Sequence, residues 1–196
     1  MRRFVIAGHR AATTGDFRLD DIAGGAGRLD VLVRCVNSAF FLSHSLRKDV
    51  EIHLVLQGGD DAPKTVRMLG SELRYLNPDE RSTSALIRNA LLKDLGDEEM
   101  RSSPGIYISR RSFAEVLDML AEKSTLTYLH EEGEEIRGAE FPEDVTFVLG
   151  DDRDLTSEEE GALLSHKPRR FRLGPFSLHA DHCLVLVHNE LDRASQ

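Results

Sequence analysis

Four groups of residues in this chain have the types and spacing to do chemistry. The first is Gly150-Asp151-Asp152-Arg153-Asp154, which follows the apolar run Val145 to Leu149. A strand that ends in glycine and opens toward a helix is how α/β folds present ligand-binding loops at the carboxyl edge of a sheet, and glycine lets the backbone approach a ligand closely. The second is Leu173-Gly174-Pro175-Phe176-Ser177-Leu178, a loop that can offer free backbone groups to a ligand and that Pro175 stiffens. The third is His179, His182 and Cys183, which share one face at the start of a helix. That face could bind a metal, or a helix N-terminus could lower the thiol pKa and make a Cys-His nucleophile. The fourth is the basic stretch Lys167, Arg169, Arg170 and Arg172, with Arg67, Arg74, Arg81 and Arg88 as further cations that would suit phosphate if several converged on one face. Taken singly, each group also has an ordinary reading: a tight turn, an αβ connection, a cysteine packed as a small apolar residue, a solvated charged face.

The elements that must position these residues alternate between strand and helix. Arg3 to Ala7 reads as a strand, Thr13 to Gly27 as a loop, and Leu29 to Leu46 as an amphipathic helix carried by Leu29, Leu32, Val33, Val36, Ala39, Phe40 and Leu46. Val50 to Leu56 is a second strand, and Gly58 to Asp61 with Pro63 is a turn. Thr65 to Leu69 and Glu72 to Tyr75 are expected to pair as a hairpin about Gly70-Ser71. Ser82 or Ser84 is expected to cap a helix from Ala85 to Leu95. Gly105 to Ser109 is a strand, Ser112 caps a helix faced by Phe113, Val116, Leu117 and Leu120, and Leu126 to Leu129 begins another strand. The acidic run Glu131 to Glu135 reads as a solvated turn. Thr156 with Glu159 three residues later is a capping box, Phe171 to Leu173 a brief strand, and Ala180 to Arg193 a closing helix. This alternation predicts an α/β fold with a mostly parallel sheet flanked by helices, and no linker or repeat divides residues 1–196.

Composition narrows the classes. No apolar run approaches the roughly 20 residues of a membrane span, the N-terminus lacks the apolar stretch and cleavage site of a signal peptide, and a cytoplasmic protein is expected. Two cysteines, Cys35 and Cys183, are too few for a disulfide framework, and no C-x-x-C suggests zinc. The chain has no G-x-G-x-x-G after its first strand and no Walker motif, which counts against dinucleotide binding and P-loop phosphoryl transfer. The net charge of −9 counts against nucleic acid unless cations gather locally. Five lysines stand against 20 arginines, a balance that suits either a salt-rich cytoplasm, where surface repulsion is screened, or an arginine-favouring genome.

The order of the motifs carries more than any one of them. A strand ending FVLGDDRDLTSEEE, then RFRLGPFSL, then ADHCLVLVHNELDR resembles the C-terminal part of the SPOUT-class RNA methyltransferases. Leu173 to Arg193, Lys64 to Leu91 and the N-terminal RRFVIAGHRAATTGDFRLDDIAGGAGRLDVLVRC are most similar to the archaeal family that methylates N1 of pseudouridine at position 54 of tRNA. The resemblance implies a C-terminal trefoil knot and an S-adenosylmethionine (SAM) pocket built mainly from residues 125–196. It also implies a homodimer through the knot region, a tRNA substrate and no metal, since the sulfonium is already a good leaving group. The same family with an rRNA substrate, and a catalytically silent SAM- or RNA-binding protein, are the alternatives. Carried over by motif, the cofactor residues are Leu129, Gly150, Leu173, Gly174, Pro175, Phe176, Ser177, Leu178 and Cys183. Asp79 in the NPDER motif is the first candidate to accept the pseudouridine N1 proton, ahead of Glu80, Asp60 and Asp61, with Arg81 orienting RNA phosphate or the anionic base. Turn and cap chemistry is the competing reading for these acids.

Overall fold

The first strand, β1 (Arg2–Ala12), alternates its side chains between two apolar clusters, and the fold is organised around that alternation. The computed structural model describes residues 1–194. In chain order the elements after β1 are α1 (Leu29–Phe40), β2 (Val50–Gly58), β3 (Lys64–Leu69), α2 (Glu80–Leu91), β4 (Met100–Ser103), β5 (Ile106–Ser109) and α3 (Phe113–Ala121). Then come β6 (Thr125–Glu135), β7 (Val145–Gly150), α4 (Ser157–Ser165), β8 (Arg169–Arg172) and α5 (Ala180–Ala194). The strands form one sheet in the order β4-β5-β3-β2-β1-β7-β6-β8. From β2 to β8 every pairing is parallel; β2–β3, β3–β5 and β5–β4 are antiparallel. Phe4, Ile6, Ile52, Leu54 and Phe147 face a core shared with α1, α2 and α5. Val5, Ala7, Val55 and Val148 face a second core under α3 and α4. The expected α/β sandwich of helices on both faces is therefore present, with an antiparallel extension on one flank.

Several expected boundaries move, each for a local reason. The helix predicted to reach Leu46 ends at Phe40. Phe41 is extended and bridges to Leu46, and Arg47 N–H returns to the Phe40 carbonyl, so the polar Ser43-His44-Ser45 stretch closes a turn instead. The hairpin about Gly70-Ser71 does not form. Strand β3 already has β2 on one edge and β5 on the other, so residues 72–75 find no edge to pair with. Leu73 N–H bonds back to Leu69 instead, and Leu73 and Leu76 drop into the core. The second helix starts five residues early, because Asp79 rather than a serine caps it: its carboxylate accepts the Ser82 N–H at 2.7 Å. Strand β4, which the sequence reading did not foresee, pairs with β5 across a turn in which Gly105 takes φ +77°. The acidic run is no turn either. Strand β6 continues to Glu135 because Gly133 lacks a side chain: a Cβ there would lie 2.5 Å from the backbone nitrogen of Phe171 in the adjoining β8. The capping box at Thr156 forms as the sequence predicts, and Ser112 caps α3 as expected, in a capping box completed by Glu115.

Candidate functional site

The parallel strands β6, β7 and β8 end on one edge of the sheet, and there the loops after them enclose an open cleft of about 710 Å³. This is where open α/β sheets place ligands, and the size suits a cofactor-sized molecule. Leu129, Gly150, Leu173, Gly174, Phe176, Ser177, Leu178 and Cys183 all line it; of the cofactor residues inferred from sequence only Pro175 does not. Three segments far apart in the chain are thus brought together. The sequence reading missed Arg28, which enters from the start of α1, and His130 and Glu131, which the continuation of β6 delivers.

Gly150 is required by its own loop. A Cβ at this position would sit 1.9 Å from the Arg153 carbonyl, so the chain can fold back as it does only over a glycine. The close approach inferred from sequence is therefore within the loop, independent of any ligand. The loop is then held by cations from the N-terminal part of the chain. His9, in the C-terminal part of β1, grips Asp151 twice: its backbone N–H donates to one carboxylate oxygen at 3.0 Å, and ring Nδ1 meets the other at 2.8 Å. Ring Nε2 lies 2.9 Å from Glu159 of α4, which also takes a hydrogen bond from Gln57 at 2.6 Å. Bonding to Asp151 first, then to Glu159, raises the His9 pKa to about 9, so the ring is an imidazolium donating to both carboxylates at neutral pH. Burial would raise the Glu159 carboxyl, but the bonds from His9, Gln57 and Thr156 hold it down to about 2. One residue further along, Asp152 accepts from Arg10 at 2.6 Å and from Arg28 at 3.1 Å.

Arg28 has a left-handed backbone, φ 68°, which is strained for a residue of its bulk. What the strain positions is clear from its side chain, which forks onto Asp30 at 3.0 and 3.2 Å while reaching Asp152 with a third N–H. The second wall comes from α5. Ala180, Leu184 and Val187 are buried against the core, which turns the half-buried Cys183 toward the cleft. Burial, with a contribution from Asp181, pushes the Cys183 thiol up to about 11. It is protonated at neutral pH, which removes the activated nucleophile from consideration. The rings of His179 and His182 stand edge to face, 5.6 Å apart, and no group of three or more metal-ligating side chains comes together among the described residues.

The charge around the cleft is mixed. Arg28, Arg153 and Arg172 line it, but so do Glu131, Asp151, Asp152 and Asp154. The basic stretch in β8 is answered by acids: Arg169 by Glu134 at 3.3 Å, Arg170 by Glu160 at 3.4 Å and Arg172 by Glu135 at 3.5 Å. Asp79 and Arg81 do not line the cleft. Asp79 is occupied as the α2 cap, and its hydrogen bonds from Ser82 hold the carboxyl below its usual range, which weakens it as a base. Asp61 is paired with Lys64 at 2.6 Å and Arg110 at 2.8 Å, and those two partners bring its carboxyl down to about 2. Among the carboxylates on the cleft, Asp151 and Asp152 are engaged as described and Glu131 accepts from Ser177, which leaves Asp154 with no hydrogen-bond or ion-pair partner among the described residues.

A family model for SAM-dependent RNA methyltransferases matches residues 1–196. The chain belongs to this family. Relatives similar over almost the full length carry the name tRNA (pseudouridine(54)-N(1))-methyltransferase. The protein from Haloferax volcanii is 55% identical over 99% of this chain and 98% of its own. That from Haloarcula marismortui is 52% identical over the same shares, and that from Methanococcoides burtonii 47% over 98% of this chain and 96% of its own. Among solved structures, Nep1 of Archaeoglobus fulgidus, determined with S-adenosylhomocysteine bound, covers 99% of this chain and 98% of that one at a TM-score of 0.66. At 13% identity that likeness shows a shared fold. No helix among the described residues is long and apolar enough to cross a membrane.

Proposed function

We propose that this family member transfers the methyl group of SAM to N1 of pseudouridine at position 54 of tRNA. The observation that carries the reading is the identity of about half the residues, along nearly the whole chain, with relatives bearing that name. The cleft fits the cofactor by its donors and walls. Leu129, Leu149, Phe171 and Leu173 give apolar surface to an adenine, and the two loops after β7 and β8 supply backbone polar groups. Bound SAM would supply an electrophilic methyl on a sulfonium that needs no metal.

In the reaction N1 of pseudouridine forms a bond to the methyl carbon, the sulfur–carbon bond breaks, and the N1 proton leaves. Asp154 is the carboxylate of this chain best placed to accept that proton, because it faces the cleft unpaired; Asp79, first on sequence grounds, is given the lesser role of fixing the start of α2. Asp154→Asn should lower kcat at unchanged SAM affinity, whereas Asp79→Asn should leave kcat at saturating substrate close to wild type. The reading extends to a C-terminal trefoil knot and to a homodimer. Exposed Phe176, Leu178 and Val185, clustered around the α5 start, form the apolar face that a second copy would cover. Light scattering on Val185→Asp would show a monomer if so.

The activity is tested by incubating the protein with SAM and pseudouridine-containing tRNA, digesting to nucleosides and measuring 1-methylpseudouridine by mass spectrometry. Product from tRNA supports the reading, product only from an rRNA fragment moves the substrate, and SAM binding without product makes the chain a silent binder.

A further inference from the structure

Phosphate contacts dominate the affinity of proteins for nucleic acid, and an acidic chain must gather cations locally to make them. Around the cleft that surplus is small, because acids answer most of the arginines. A second cavity with a lining rich in cations lies on the far flank of the sheet. Lys48 before β2, Ser71, Glu72 and Arg74 after β3, Arg101 in β4 and Tyr107 in β5 surround an opening of about 550 Å³. Lys48 and Arg74 are exposed and make no ion pair or hydrogen bond among the described residues. Glu72, the acid of this group, accepts the Tyr107 hydroxyl and makes a long ion pair with Arg101 at 3.9 Å, which leaves Lys48 and Arg74 unanswered among the described residues. Cations are thus in excess here, beside the hydroxyl of Ser71.

The position follows from the strand directions. Gly150 is level with Ala7 and so with Val55, whereas Lys48 precedes Val50 at the opposite end of β2. With about 3.3 Å of rise per residue and about 4.8 Å between strands, the cavity lies roughly 25–30 Å from the Gly150 loop. A small substrate could not touch both places, but a folded RNA can.

We propose that this cavity is a second docking site for substrate RNA, in which Lys48, Arg74 and Arg101 hold backbone phosphates remote from the nucleotide that is methylated. The proposal rests on the tRNA methyltransferase reading. The docking site sets affinity and leaves the methyl-transfer step untouched.

The test is tRNA binding by fluorescence anisotropy over a range of KCl concentrations, for wild type, Arg74→Ala and the Lys48→Ala/Arg74→Ala pair. Both residues are exposed, so melting temperatures should match wild type. The single variant should bind tRNA roughly 3- to 10-fold more weakly at low salt, and the pair more weakly still. The slope of log K against log salt should flatten by about 0.7–0.9 for each cation removed. The KM for tRNA should rise while kcat at saturating tRNA and SAM affinity stay at wild-type values. Unchanged affinity and slope in variants of a wild type that does methylate tRNA would overturn the docking site alone. So would inorganic phosphate binding that the substitutions abolish with tRNA binding intact, since that would make the cavity a small-anion site. A wild type that neither binds nor methylates tRNA would overturn the functional reading and the docking site together.

Discussion

At the carboxyl ends of β6, β7 and β8 the cations are consumed in holding loops: His9 on Asp151 and Glu159, Arg10 and Arg28 on Asp152. Across the sheet, beyond β3, Lys48 and Arg74 have no carboxylate paired with them among the described residues. Between these regions lies a third arrangement, buried beneath neither ligand site. Glu51 is ringed by Arg3 at 3.1 Å, His53 at 3.0 Å and Arg67 at 3.5 Å, and Arg67 also pairs with Glu99 at 2.6 Å. Burial keeps His53 neutral, and although burial also opposes the Glu51 charge, the hydrogen bond from His53 and the neighbouring cations bring that carboxyl down to about 2. Charge near the cleft therefore shapes a loop, charge inside the sheet supports the fold, and charge on the far flank is left for a partner. Substitutions in the three regions should separate accordingly.

The largest effect is expected in the middle region. Glu51→Gln leaves buried Arg3 and half-buried Arg67 short of a counter-charge and should cost about 3–5 kcal/mol of stability, the range for breaking a buried ion pair. Denaturant unfolding would measure it, and the SAM affinity of the protein that remains folded should not change. Gly150→Ala should act the other way. Its Cβ cannot coexist with the Arg153 carbonyl, so the loop must rearrange, and calorimetry should find SAM binding weakened about 100-fold, or about 2.7 kcal/mol. Equal loss of SAM affinity in both variants would erase the distinction between the regions.

His9→Gln should lower SAM affinity about tenfold and change how stability depends on pH. A histidine whose folded pKa is raised from 6.5 to about 9 contributes stability that is complete below pH 6.5 and is lost as pH rises through 9. Wild type should therefore exceed the variant in melting temperature at pH 6 and converge on it near pH 10. A constant difference would mean that His9 acts by shape rather than by charge. The smallest effect is expected at Asp79→Ala, where loss of one helix cap should cost about 1 kcal/mol of stability; a larger loss in kcat than in stability would restore Asp79 to the chemistry.

Much of the cleft was legible because its walls follow strict local rules. The apolar run before Gly150, the capping box at Thr156 and the period of Ala180, Leu184 and Val187 each read correctly, and the order of the motifs supplied the family. The clamps were not legible. Nothing local marks His9 as the partner of Asp151, 142 residues away, or Arg28 as the partner of Asp152, 124 residues away, because parallel pairing of β1 with β7 creates those neighbours. The hairpin predicted at Gly70-Ser71 failed for the same kind of reason: β5, distant in sequence, had already taken the edge of β3. The acidic run misled because a glycine within it, Gly133, lets β8 come close enough to prolong β6. Asp79 serves a simpler use of aspartate, the capping of a helix, which turn and cap chemistry offers any aspartate that follows a loop.

The central claim is that the cleft formed by Leu129, Gly150, residues 173–178 and Cys183 holds the methyl donor. Titration calorimetry of SAM into wild type and Cys183→Phe, with a melting curve of each, tests it most directly. The structure predicts that a phenyl ring projecting into the cleft from α5 abolishes SAM binding while the melting temperature falls by only a few degrees. Wild-type SAM affinity in a folded Cys183→Phe protein would contradict it.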